Sequence, residues 1–300
     1  MTMKSARRSL SIMKPGIASA SALASLAGMS IADRGLPQTH LVLLTLSCII
    51  AAVCGSGLIN VLLERKTDAL MPRVAYRGQA LNILGVRTVW VLAALLIASS
   101  LIASWLFINP AVSLIIASAV CLYVVFYTLC LKKNSPFSTV LGAVPGALPV
   151  LAGYAAVDPK IGPGGWILFS VLLVWQQPHF LALALKYRDE YAAAGFPVMP
   201  VRLGEDYTRA SLLMYASALL PLTLSLAWLG FCTVMFGIAA FAAGALFLAF
   251  TWSSVIKNRG FGRVFAVSII YLAALLLALV LDQKFGLENR NLTGPFFLLN

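Results

Sequence analysis

Nine separate stretches of this 300-residue chain run for roughly twenty residues with hardly a charge, and they constrain the fold more than any other feature. They fall near residues 16–32, 40–63, 88–108, 110–130, 138–157, 165–185, 210–229, 231–252 and 264–282. About twenty apolar residues are what an α-helix needs to cross the ~30 Å hydrocarbon core of a bilayer. A helix also satisfies its own backbone hydrogen bonds, as lipid requires. The composition agrees: 61% of residues are hydrophobic, 11% are charged and the mean hydropathy is +0.93. A soluble domain is nearer half apolar and a quarter charged. The fold expected is therefore all-α, a polytopic membrane protein of nine transmembrane helices. The first run, "GIASASALASLAGMSIA", is also compatible with a signal-peptide core. Its Ala, Ser and Gly suit close helix contact more than lipid contact. The breaks "NP" (109–110), "KKNSP" (132–136), "DPKIGPGG" (158–165) and "KNRGFG" (257–262) carry turn chemistry.

The formal net charge is +12, but the bases sit in short loops between apolar runs, not on a basic face interleaved with aromatics. That argues against nucleic acid as a partner and for membrane orientation. With the N-terminus inside, the outward segments hold only Arg34, Lys160, Lys284 and Arg290 of the chain's 22 Lys and Arg. The other eighteen face inward, and the count holds only if the first run is kept as a span. This predicts a basic cytoplasmic segment at 1–15, one membrane domain at 16–283 and a tail at 284–300 outside, in a bacterial inner membrane. The cysteines Cys48, Cys54, Cys121, Cys130 and Cys232 all lie in apolar runs without a CxxC, and read as small hydrophobes.

Two inward loops, 64–87 and 186–209, are longer and more polar than the rest, four spans apart, a hint of a weak internal repeat. The first opens with "NVLLERKTDALMPR" (60–73), which spaces Asn60, Glu64 and Asp68 by fours and so lines them up on one helical face. Two carboxylates one turn apart repel in a low-dielectric site unless a cation joins them. Oxygen ligands of this kind suit Mg²⁺, which binds through one or two carboxylates together with substrate phosphates. Lys66, Arg73 and Arg77 follow at once, bases of the kind that hold a diphosphate. The plainer reading is a solvated helix end whose acids are offset by nearby bases.

The second cluster lies in "VWQQPHFLALALKYRDEYAAAGFPVMP" (174–200). Gln176, Gln177 and His179 fall inside an apolar run, where polar groups need partners and often serve function. Pro178 removes a backbone donor and can kink the helix. His179 is compatible with metal ligation, hydrogen bonding to an acid, proton transfer, or simple packing against a neighbouring helix. Lys186, Asp189 and Glu190 follow. Lys186 and Glu190 are four apart and can pair, and adjacent Asp189 and Glu190 face different directions, so one at most aims inward. If 179–190 is one helix, His179 lies roughly 16 Å along the axis from Glu190, deeper in the membrane.

These stretches, with "KPGI" (14–17) and "YTLCLKKNSPFSTVLGAVPGALPVLAGY" (127–154), resemble the UbiA superfamily of membrane prenyltransferases, and within it the branch that acts on heme. The resemblance spans residues 14–201 and implies nine helices around a central cavity with two acidic motifs at its cytosolic mouth. It places Asn60, Glu64 and Asp68 at the first motif and Glu190 at the second, with Asp189 beside it, as ligands of Mg²⁺. Arg73, Arg77, Lys132, Lys133 and Lys186 become diphosphate-binding bases, and His179 becomes a heme contact. Glu64 and Glu190 stand where the superfamily commonly has Asp; Val74 and Gly78 replace its usual Thr and Pro. The activity implied is transfer of the farnesyl group of farnesyl diphosphate to a vinyl group of heme b, with water addition, to give heme O. Heme A synthase and oxidase assembly proteins are the partners it suggests. The alternatives are prenylation of an aromatic acid in quinone synthesis, a membrane transporter, and a heme-binding assembly factor without catalysis. Ionisable groups gathered at one face, not spread through the bilayer's depth, disfavour transport.

Overall fold

In the computed structural model the described residues are 11–286. Lys4, Arg7, Arg8 and Arg290 of the charge count lie outside them, as do residues 1–10 of the basic segment and 287–300 of the tail. Among the described residues nine helices are long and apolar enough to cross a membrane: α1 (Pro15–Asp33), α2 (Thr39–Asp68), α4 (Val86–Phe107), α5 (Pro110–Leu131), α6 (Ser138–Val157), α7 (Pro163–Lys186), α10 (Glu205–Trp228), α11 (Val234–Ile256) and α12 (Phe261–Phe285). Three short helices lie in the polar loops: α3 (Tyr76–Leu84) after α2, and α8 (Arg188–Ala193) and α9 (Met199–Arg202) after α7.

Local chemistry sets the helix starts. Pro15, Pro110 and Pro163 occupy first-turn positions, where the missing N–H costs nothing. Asn109 caps α5 by accepting the Val112 N–H at 3.0 Å. Pro149, Pro178 and Pro221 sit inside helices that continue through them, as neighbouring helices in a membrane allow.

The helices pack in sequence neighbours, α2 on α4, α4 on α5, α5 on α6, α6 on α7, then α7 on α10, α10 on α11 and α11 on α12. Helix α12 returns to α7 and α1. Helix α1 lies against α2, α6 and α12, and its weak hydropathy follows from that position, because small side chains let another backbone approach. The contact with α6 is close enough that a Cβ on Gly153 would lie 2.0 Å from the Ser25 carbonyl oxygen. Large apolar side chains such as Leu95, Leu106, Met235 and Leu246 are exposed on the outer faces, the pattern of a surface solvated by lipid.

Three features of the helices matter for the site, the first expected from the sequence and the other two not. Helix α2 runs on to Asp68, so the whole Asn60–Glu64–Asp68 stripe is helical. The last ten residues of α5, Leu122–Leu131, are wound as a π-helix, a rare form associated with functional sites. And 179–190 is not one helix: α7 ends at Lys186, Tyr187 has non-helical angles (φ −116°, ψ 29°), and α8 begins at Arg188.

Candidate active site

The bundle encloses a cavity of about 290 Å³ between α1, α2, α5, α6 and α7. Its depth is apolar (Ile49, Ile116, Leu148, Phe180), and its rim carries the charges. Asn60, Glu64 and Asp68 all face it from α2, and all three are buried. Each is held by a group from elsewhere in the chain. Lys132, the residue that ends the π-helix, donates to both oxygens of Glu64 at 2.6 and 2.7 Å. Arg77, from α3, donates to Asp68 at 3.0 Å. Asn60 donates to Thr128 Oγ1 at 3.2 Å and accepts from Lys14 Nζ at 2.5 Å. Burial alone would pull the Lys132 ammonium down. The adjacent Tyr127 and the Glu64 carboxylate outweigh it and hold the pKa above the ordinary lysine range.

The second loop reaches the same rim. Met71 and Val74 from the loop after α2 pack with Ala184, Ala194, Phe196 and Val198 from the end of α7 and beyond, in one apolar cluster. Arg73 crosses between the loops: it donates to the Tyr191 hydroxyl at 2.8 Å and lies over the Tyr187 and Tyr191 rings. Its Nε stands 3.8 Å from Glu190 Oε2, too far for a hydrogen bond, and both of these buried atoms lack a hydrogen-bond partner. Asp68 and Tyr191, the residue after Glu190, line one cavity.

Other expected site residues are not gathered there. Asp189 has a side chain 99% exposed and stands 3.8 Å from Arg188. Lys133 is exposed, one position past the residue that points in. Lys186 is exposed, lies over Tyr187 and packs its stem against Gly262 at the start of α12. His179 turns away from the cavity: its Nδ1 is 2.7 Å from Ser268 Oγ on α12, and its ring stacks on Trp175 and Phe265.

Sequence reasoning missed Lys14, Tyr123, Tyr127 and Thr128. Lys14 adopts φ 55°, ψ 54°, uncommon for a residue with a Cβ and still more so before a proline. Its Nζ is fixed by Asn60 and by the Tyr123 hydroxyl at 2.9 Å. Burial, then the charges of Arg77 and Lys132, push its pKa down to about 7. The available signals were the lysine placed immediately before Pro15 and two tyrosines four apart in an otherwise lipid-like run. Their inward aim depends on the π-helical winding, which no residue pattern announced.

The donors suit a hard divalent cation: the amide of Asn60 and the carboxylates of Glu64 and Asp68 line the cavity, while Glu190, which does not line it, stands beside the lining residue Arg73 with a buried oxygen free of hydrogen bonds. Yet among the described residues no three His, Cys, Asp or Glu side chains stand close enough to hold an ion by themselves. A metal here would need oxygens from a bound substrate, which is how Mg²⁺ commonly sits with phosphates.

An all-helical membrane bundle around an apolar chamber, with acids and bases at one mouth, defines an enzyme class that handles a greasy molecule with a charged head. Residues 21–263 match the UbiA prenyltransferase family, and the chain belongs to it. It is 39% identical over 254 residues to a protein of Geotalea uraniireducens (strain Rf4) named protoheme IX farnesyltransferase, covering 85% of this chain and 98% of that one. The fold resembles that of a digeranylgeranylglyceryl phosphate synthase (TM-score 0.75, 16% identity, 94% and 99% of the two chains). It also resembles a UbiA homologue from Archaeoglobus fulgidus bound to GPP and Mg²⁺ (TM-score 0.62, 16% identity, 90% and 99%).

Proposed function

We propose that this chain transfers the farnesyl group of farnesyl diphosphate to a vinyl group of protoheme IX, with addition of water, in a bacterial inner membrane with the rim facing the cytoplasm. The observation that carries the reading is the convergence of both polar loops on the mouth of one apolar chamber, in a chain that matches a farnesyltransferase over most of its length.

Acids and bases are matched at the rim, Glu64 with Lys132, Asp68 with Arg77 and Glu190 near Arg73, with Lys14 as a further base. Such a rim holds fixed charges of both signs before any substrate arrives, so little reorganisation is needed when charge develops. Arg73, Arg77, Lys132 and Lys14 would hold diphosphate oxygens. Asn60, Glu64, Asp68 and Glu190 would hold Mg²⁺, which supplies positive charge to the leaving group when bound. The prenyl tail would lie in the apolar depth, whose walls exclude the bulk water that would quench an allylic cation. The rings of Tyr123, Tyr127, Phe180, Tyr191 and Phe196 line that space, and their faces favour positive charge.

The test is the purified protein in detergent with farnesyl diphosphate, heme b and Mg²⁺, read by product mass. A farnesylated hydroxyethyl heme that disappears with EDTA and returns with Mg²⁺ is the expected result. Prenylation of an aromatic acid instead of heme would overturn the acceptor assignment, and turnover in EDTA would overturn the metal.

A further inference from the structure

We infer that Gln176 is the residue that positions the water added to the prenylated heme. The inference rests on the heme reading above and concerns the step after prenyl transfer.

Gln176 is buried on α7, 7% exposed, and faces the chamber. Its amide orientation is fixed by the backbone around it. The Nε2 group donates to the Ala143 carbonyl of α6 at 2.9 Å and to the Leu172 carbonyl of its own helix at 3.2 Å, so both amide protons are used. Turning the amide over would set its oxygen against two carbonyl oxygens. Oε1 is therefore left as an acceptor with no protein donor on it. It is not among the side-chain atoms sealed from access and without a partner, whereas its neighbour Gln177 Oε1 is. Gly146 on α6 makes the room: a Cβ there would lie 2.2 Å from Gln176 Oε1. The helical rise puts Gln176 about 15 Å from the end of α7 and Asn60 about 12 Å from the end of α2, comparable depths below the rim. His179, three residues along the same helix, is engaged with Ser268 and lines no part of this space.

The reaction needs such an acceptor. As the allylic C–O bond breaks, its electron pair leaves with diphosphate. The vinyl π pair forms the new C–C bond to the farnesyl carbon, leaving positive charge on the vinyl carbon attached to the porphyrin. That cation has two fates. A water lone pair can form a C–O bond, with the water's proton passing to the diphosphate, or the cation can lose a neighbouring proton to the same base and become an alkene. A water donating to Gln176 Oε1 is held with a lone pair free to attack, in a chamber where unheld water is scarce. Gln176 then sets the ratio of hydroxylated to dehydrated product.

The experiment is the full chain in detergent with farnesyl diphosphate, heme b and Mg²⁺, comparing Gln176→Leu, Gln176→Glu and Gly146→Ala by product mass. Leucine keeps the bulk and removes the acceptor. Among the prenylated products, whatever their total, the species lighter by one water is expected to rise at least tenfold relative to the hydroxylated one in Gln176→Leu. Gln176→Glu, which keeps an oxygen there, is expected to stay near the parent ratio. Gly146→Ala displaces Oε1 without removing the amide and is expected to shift the ratio in the same direction, giving the same reading if Gln176→Leu does not accumulate in membranes. An unchanged ratio in whichever of Gln176→Leu and Gly146→Ala accumulates would overturn the inference. Absence of any prenylated heme from the parent protein would instead overturn the proposed function.

Discussion

The two polar loops do the same kind of chemistry from different physical states. At the end of α2 the acids are buried on a rigid helix, 2% exposed at Glu64 and 4% at Asp68, and each has a base within bonding distance. After α7 the chain breaks at Tyr187, Glu190 and Arg73 stand apart with a quarter of each side chain exposed, and the tie between the loops is a hydroxyl, two rings and a small apolar cluster. A charge fixed in a low-dielectric site stabilises a developing charge without reorganising, whereas an exposed one is screened. The first loop should therefore carry most of the catalytic electrostatics, and the second should close over what the first holds.

The largest effect that follows is at Asp68. Asp68→Asn is expected to lower prenyl transfer by about 10²–10³-fold, measured as product per membrane-inserted protein. Retained turnover would remove the first loop from the chemistry and erase the contrast.

Next comes the Lys132–Glu64 pair. Lys132→Met leaves a buried carboxylate unpaired, which costs about 3–5 kcal/mol. Loss of folded protein on thermal challenge in detergent is expected, and Glu64→Gln in the same chain should restore much of that stability without restoring activity. Stability unchanged by Lys132→Met would mean that Glu64 is better solvated than its burial indicates.

Glu190→Gln should be milder. A partly exposed pair is worth ~1 kcal/mol or less, so about a fivefold loss of activity is expected, seen mainly as a raised requirement for Mg²⁺ in titration. A loss as large as that of Asp68→Asn would make the two loops equals. The smallest effects belong to the exposed residues: Asp189→Asn and Lys133→Ala should each leave product formation within about twofold, as for surface substitutions away from special features. A large loss in either would show that the second loop, or the loop after α5, rearranges on binding.

Much of this was legible in the residues. The nine spans, their order and the stripe of Asn60, Glu64 and Asp68 follow from hydropathy and a four-residue step, both one-dimensional signals, and the structure keeps them. Lys132 and Arg73 were named from motif position and stand at the rim, but their separate partners, Glu64 for one and Tyr191 with Glu190 for the other, were not readable. Lys186 and His179 carry similar motif signals and point elsewhere, because a helix aims adjacent residues about 100° apart and only packing decides which side is the chamber. Lys14 and Tyr123 went unread because their roles come from contacts 46 and 109 residues away in sequence.

The sequence by itself determined nine apolar runs that fold, among the described residues, as helices long enough to cross a membrane, and it concentrated Lys and Arg in alternate loops. Lipid forces apolar runs into helices, and charge cannot stay in the hydrocarbon without a partner. Tertiary structure alone decided which of those charged and polar groups share a space. The π-helical end of α5, the break at Tyr187 and the close seating of α1 on α6 set the direction of each side chain, and direction is what separates a rim residue from a surface one.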